Sequence, residues 1–80
     1  MKLPRDLSGA DLAKLLAVRG YRISGQTGSR IRPTIDLPSR HHVTVPAHDP
    51  LKVGSLAGIL GDVALHARMS RDELVRELFG

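Results

Sequence analysis

The chain has 80 residues, the size of one domain (1–80), and lies near the lower limit at which an apolar core alone holds a fold. It contains no cysteine, which excludes a disulfide scaffold and a thiolate metal site. The formal net charge is +4, and the charges are distributed unevenly along the chain. Residues 1–40 hold eight basic and three acidic side chains, whereas residues 41–80 hold four basic and five acidic side chains. The first half therefore favours a polyanionic partner, although a basic surface also serves solubility alone.

Neither a membrane span nor a secretion signal is visible. No stretch approaches the ~20 apolar residues that a bilayer-spanning helix needs. The segment Met1–Asp6 lacks the apolar run of a signal peptide. We therefore expect a cytoplasmic protein.

The first predicted element is a helix of about 12 residues. Ser8 suits the N-cap and Asp11 the first turn, where a carboxylate complements the helix dipole. Leu12 and Leu16 lie on one apolar stripe, and Gly20 suits the left-handed position that closes a helix.

Three short runs with alternating apolar residues follow, which predicts a small antiparallel sheet. The first strand covers Tyr21–Ser24, with Tyr21 and Ile23 on the core face, and Gly25–Gly28 forms its turn into the second strand. In the second strand Pro33 cannot donate a ladder hydrogen bond, which predicts an edge position or a bulge.

The third strand covers His41–Val45 and places Val43 and Val45 inward. Because side chains alternate along a strand, a second set of residues points away from the core. This outward set comprises Arg22, Arg30, Arg32, His42 and Thr44.

Two more helices end the chain. Ser55 is the predicted cap of the first, in which Gly58 and Gly61 each cost about 1 kcal/mol relative to alanine and indicate either close packing or a weakly stable helix. Ser70 and Glu73 have the spacing of a capping box at the start of a last, short helix. The pattern predicts an α+β fold, a three-stranded antiparallel sheet with helices on one face and the other face bare.

Several short motifs occur in the order found in the HicA family, small mRNA-cleaving toxins of bacterial toxin–antitoxin pairs. The chain resembles that family over about residues 8–76, through Gly20-Tyr21, Gly28-Ser29, Val43–His48 and Gly54-Ser55-Leu56 with Ile59-Leu60. The resemblance implies a fold similar to double-stranded-RNA-binding domains and endoribonuclease activity without a metal or cofactor. It also implies a HicB-type antitoxin as partner, covering the basic sheet face.

The resemblance departs at one position. The family carries its catalytic histidine directly after the Gly-Ser pair, where this chain has Arg30. An imidazole with a pKa of ~6.5 exchanges protons near neutrality, whereas a guanidinium stays protonated and only binds phosphate. We therefore expect a catalytically crippled toxin that keeps its RNA-binding surface. Arg30 is either a natural departure or an inactivating substitution, and the well-kept remaining motifs favour the latter.

The other candidate residues follow from the predicted faces and from the resemblance. His42 shares the face of Arg30 and is the candidate for a residual proton role, whereas His66 is expected on the helix surface. No histidine pair has metal-ligand spacing. Ser29 is more typical of a turn residue than of a nucleophile. The predicted RNA-binding residues are Lys14, Arg19, Arg22, Ser29, Arg32, Arg40, Thr44 and His48.

Two functions from other classes remain open. One is a non-catalytic RNA-binding module, which predicts salt-sensitive binding of duplex RNA. The other is an interaction protein that titrates an antitoxin without touching RNA.

Overall fold

A computed structural model describes residues 3–80. It has an α+β fold with three helices and a small, open antiparallel sheet, as the sequence predicts at this level. Of the three helices, none has both the length and the apolar character that crossing a bilayer requires. The elements are α1 (Gly9–Val18), β1 (Arg22–Thr27), β2 (Arg30–Ile35), β3 (His41–His42), β4 (Val45–Pro46), α2 (Val53–Ala67) and α3 (Arg71–Phe79).

The central strand of the sheet is β2, which pairs with β1 on one side and with β3 and β4 on the other. The predicted third strand is thus interrupted, although β3 and β4 keep one register along β2. Pro33 lies opposite the gap, where its carbonyl accepts a hydrogen bond of 3.2 Å from the Val43 N–H. Because proline has no N–H to return, the ladder breaks there.

The hairpin between β1 and β2 contradicts one prediction and confirms another. The turn is Gly28-Ser29 rather than Gly25–Gly28, since Thr27 pairs with Arg30 and Gly28 takes a positive φ of 41°. Two-residue hairpin loops need such a conformation, which glycine adopts at no steric cost. The sequence predicts an edge position or a bulge at Pro33. The strand of Pro33 is central, and the bulge is present, because the register of β1 shifts between Ile23 and Gly25, opposite Pro33.

The predicted core positions Leu12, Leu16, Val43 and Val45 are confirmed, whereas Ile23 is not in the core. Leu12 and Leu16 of α1 pack against Ile31 and Val45 of the sheet, and all four are buried. Ile23 was expected in this core but is 55% exposed. Its strand forms the edge of the sheet, so that no further strand shields it. The core also includes apolar side chains of the later helices, namely Leu56, Ile59, Leu60, Val63 and Leu74.

The start of α1 is fixed by capping and by a close backbone contact. The Ser8 hydroxyl accepts the Asp11 N–H at 3.0 Å, which confirms the predicted N-cap. The N–H of Gly9 donates to the His48 carbonyl at 2.9 Å, and a Cβ at position 9 would overlap the carbonyl oxygen of Pro46. Only glycine therefore lets α1 approach β4 this closely.

The second helix begins two residues before the predicted cap. Its N-cap is Lys52, without a side-chain hydrogen bond, and Ser55 lies within the first turn. The buried Leu51 anchors this start, because its N–H donates to the Leu7 carbonyl at 2.7 Å. Tertiary contact at Leu51 thus outweighs the capping preference of Ser55.

The structure also tests the predictions about the glycines of α2 and about the start of α3. Nothing lies within 4 Å of a Cβ built on Gly58 or Gly61, so the close-packing explanation is wrong. The helix ends at Ala67, and its C-cap Arg68, with a left-handed φ of 57°, separates it from α3. The predicted capping box of α3 is present, with both hydrogen bonds between Ser70 and Glu73.

Candidate nucleic-acid interface

The face of the sheet that no helix covers carries two neighbouring arginines. Along β2, Arg30 and Arg32 are exposed while Ile31 and Pro33 are buried, so the two guanidinium groups project from the same side of the central strand. This alternation follows from the period of two along a strand. We call the exposed side of β2, together with its neighbours in register, the arginine face.

A hollow of about 150 Å³ lies beside these arginines. It exists partly because Gly25 is the register partner of Arg32 and adds no side chain of its own. Two arginines and two threonines are among the residues that line it, a composition that suits a phosphate group better than an apolar ligand. Its lining comprises Gly25, Gln26, Thr27, Arg30, Ile31, Arg32 and Thr44.

The arginines predicted to bind RNA differ in whether they already form an ion pair with an acidic side chain. Arg22 donates to the Asp36 carboxylate at 2.7 Å, and Arg40 lies 4.0 Å from the same group. Within residues 3–80, Arg30 and Arg32 form no ion pair. The unmatched positive charge of the arginine face is therefore concentrated at the hollow.

His42 extends the arginine face onto the neighbouring strand. It pairs in register with Thr34, two residues beyond Arg32 along β2, and it is exposed. Thr34 itself is buried and bonded to the hydroxyl of Ser24. His42 is thus the histidine of this face, as predicted, with an ordinary solvated setting.

Two predicted RNA-binding residues lie in the helical layer instead. Lys14 is exposed on α1, and Arg19 follows the end of that helix. Arg19 Nη1 donates to both carboxylate oxygens of Glu77 at 2.7 Å, which joins α1 to α3. The structure therefore does not bring Lys14 and Arg19 together with the arginine face.

Ser29 and His48 make backbone contacts that hold the connection after β4. The Ser29 carbonyl accepts the Ala47 N–H at 2.7 Å, and the His48 carbonyl accepts the Gly9 N–H at 2.9 Å. Both residues are exposed. These bonds assign them a role in loop geometry that does not use their side chains.

A second cluster of polar side chains, on the helical side of the sheet, is not predicted from the sequence. Tyr21 and His41 share a hydrogen bond of 3.0 Å between the hydroxyl and Nδ1, and the His41 ring stacks on His66 with centroids 4.4 Å apart. We predicted His66 on the helix surface, yet it continues the buried stripe of Ile59 and Val63 at helical spacing. This spacing is the feature of the sequence from which the partly buried position of His66 could have been predicted.

The environment of this cluster shifts two pKa values. Burial raises the pKa of Tyr21, an effect that Arg19 opposes and Asp62 reinforces. Burial lowers the pKa of His41, helped by the neighbouring His66 and opposed by Asp62. Both groups therefore favour their neutral forms.

The stacked histidines are a poor metal site. An imidazole-bound ion lies near the plane of the ring, about 2.0–2.1 Å from nitrogen. The two ring planes are only 10° from parallel and offset by the stack, so one ion cannot lie in both. Residues 3–80 also contain no group of three histidine or acidic side chains arranged to hold an ion.

Comparison with known proteins found no matching family model, curated protein or solved structure.

Proposed function

We propose that this chain is a HicA-type toxin domain that binds RNA through the arginine face and has lost cleavage activity because arginine replaces the catalytic histidine at position 30. The observation that carries the proposal is the pair of exposed guanidinium groups, Arg30 and Arg32, without ion-pair partners in residues 3–80. They project from the central strand on a sheet face free of helices. Such a surface attracts a phosphate backbone.

The fold supports the proposal through the order of its elements. A helix, an antiparallel sheet and a further helix packed on one sheet face is the arrangement expected of a domain similar to double-stranded-RNA-binding domains. The proposal places the protein in the cytoplasm, where its RNA substrate and a HicB-type antitoxin are found. The antitoxin would cover the arginine face and neutralise its charge.

The chemistry at position 30 explains why the domain is inactive. Cleavage needs a group that accepts the proton of the ribose 2′-hydroxyl and a group that protonates the leaving 5′-oxygen. Arg30 holds phosphate but exchanges no proton at neutral pH. Arg32 stays beside the hollow as a second cation, and His42 is the remaining imidazole on this face.

The substitution Arg30→His tests the catalytic part of the proposal. We expect its induced expression to slow bacterial growth and fragment mRNA, whereas the chain with Arg30 leaves both unchanged. The matched control Arg30→Gln removes the charge without adding a proton-exchanging group and stays harmless. Intact RNA and normal growth with correctly folded Arg30→His would refute the toxin assignment.

Binding of a short RNA duplex by the chain as it stands tests the RNA-binding part. Replacing Arg32 with alanine removes one phosphate contact and lowers the steepness of the salt dependence by about one counterion. Arg76→Ala is the matched control, because Arg76 is exposed on α3 away from the sheet. Equal weakening by both substitutions would mean that binding reflects net charge alone.

A non-catalytic RNA-binding module is the second candidate, and Arg30 itself favours it. If Arg30 is the natural residue of this chain, the arginine face serves binding alone. This function predicts that Arg30→Ala weakens RNA binding as much as Arg32→Ala and that Arg30→His gains no cleavage. The two candidates thus differ in a single measurement, RNA integrity with histidine at position 30.

A further inference from the structure

The second polar cluster joins three parts of the chain on the helical side of the sheet. Tyr21 precedes β1, His41 opens β3 and His66 lies in the last turn of α2. The Tyr21 hydroxyl bonds to His41 Nδ1 at 3.0 Å, and the two imidazole planes are stacked 10° from parallel. This Tyr21–His41–His66 cluster is a polar contact between α2 and the sheet.

The His66 ring, on which His41 stacks, has one nitrogen buried without a partner in the described part of the chain. Its Nε2 is inaccessible to solvent and has no hydrogen-bond partner among residues 3–80. A charge on the stacked His41 ring would therefore lie against a nitrogen that solvent does not reach, and burying a charge in such surroundings is costly.

Charged groups face the cluster from several sides. Asp62 lies one helical turn before His66 on α2, His42 follows His41 on β3, and Arg19 approaches Tyr21 from the end of α1. Asp62 favours a protonated His41, but burial and the two other histidines act in the opposite direction and prevail. The surroundings as a whole hold His41 neutral.

We propose that the Tyr21–His41–His66 cluster is a pH-sensitive latch, which holds α2 against the sheet while the His41 imidazole is neutral and releases it when His41 becomes protonated. The His41 ring stacks on His66 with centroids 4.4 Å apart, so a proton on His41 places a charge inside the contact between α2 and the sheet. The oxygen of the Tyr21 hydroxyl can accept a hydrogen bond from a protonated Nδ1, so this hydrogen bond does not oppose protonation. The stack and the burial oppose it. The latch lies on the covered side of the sheet and operates whether or not the arginine face binds RNA.

The direction of the pH effect follows from the lowered pKa of His41. The unfolded chain takes up its proton near the ordinary value of 6.5, whereas the folded chain does so at a lower pH. The stabilisation is present above pH 6.5 and is lost as the pH falls through the folded-state pKa. Each proton that the unfolded state binds in excess changes the unfolding equilibrium by up to about tenfold per pH unit.

Titration of the imidazole C–H resonances by NMR tests the latch in the intact chain. We expect His41 to titrate below the ordinary imidazole value of 6.5, and its titration to coincide with changes in the α2 signals. Titration of His41 at or above that ordinary value, with the α2 signals unchanged, would overturn the proposal.

A variant separates titration from packing. His66→Phe keeps an aromatic ring to stack on His41 but cannot be protonated, so the fall in denaturation midpoint from about pH 8 to about pH 5 is expected to shrink. His48→Gln is the control and keeps the wild-type pH dependence. An unchanged pH dependence in His66→Phe contradicts the latch. If that variant fails to fold, the titration of His41 in the wild-type chain decides the matter.

Discussion

At the scale of single residues, the contribution of a basic side chain to anion binding depends on whether an acidic side chain already forms an ion pair with it. Arg22 and Arg32 both belong to the arginine face, yet Arg22 donates to Asp36 at 2.7 Å while Arg32 has no acidic partner within residues 3–80. An anion approaching Arg22 must compete with a carboxylate already in place. The effective positive charge of the face is therefore smaller than the number of its arginines.

Removing that acid is expected to strengthen the proposed RNA binding. Asp36→Asn keeps the shape of the side chain but releases Arg22 and Arg40, so two further cations become available to phosphate. We expect duplex-RNA affinity to rise several-fold at low salt and the salt dependence to steepen, as measured by fluorescence anisotropy. Asp49→Asn, in the exposed connection before α2, changes net charge equally and serves as the control. Equal gains from both substitutions would contradict the local explanation.

At the scale of elements, glycine has opposite meanings in α1 and α2. Gly9 lets the backbone of α1 approach Pro46, where a Cβ has no room. Gly58 lies on the exposed side of α2, where a Cβ would meet nothing. The first glycine is required by packing, whereas the second only lowers the helix propensity of its element.

The two positions therefore predict opposite changes in stability. Gly58→Ala is expected to raise the free energy of unfolding by about 0.5–1 kcal/mol, because it lowers the entropy of the unfolded chain and improves helix propensity. Gly9→Ala is expected to lower it by about 1–3 kcal/mol, because α1 must move away from β4. Urea denaturation measures both changes. Destabilisation by Gly58→Ala would show that this face of α2 packs against something.

At the scale of the whole molecule, the first and last helices are joined through one ion pair. Arg19 and Glu77 are 58 residues apart and meet in a bond of 2.7 Å, with Glu77 46% exposed. Exposed pairs of this kind contribute at most about 1 kcal/mol, because solvent screens them and both side chains lose freedom. The apolar core, including Leu74 of α3, supplies most of the attachment.

Breaking this pair is expected to have a small, salt-dependent effect. Glu77→Gln keeps a hydrogen-bond acceptor for Arg19 and is expected to cost less than about 1 kcal/mol in the free energy of unfolding, with less effect in high salt. Leu74→Ala is the comparison and is expected to cost about 2–5 kcal/mol through its cavity. A larger loss for Glu77→Gln than for Leu74→Ala would mean that the ion pair, rather than the core, holds α3.

The sequence by itself determined the features that depend on neighbours along the chain. Alternation in β2 placed Arg30 and Arg32 on one face and Ile31 on the other, and capping residues marked the starts of α1 and α3. These are local effects, set by the period of a strand and by hydrogen bonds over three residues.

Only the tertiary structure decided the features that depend on which distant groups meet. It exposed Ile23 on an edge strand, moved the start of α2 to the anchored Leu51, and stacked His66 on His41. It also matched Arg19 with Glu77 and left Arg32 unmatched within residues 3–80. Burial and ion pairing depend on positions in space, and residues far apart in the chain carry no local signal of meeting.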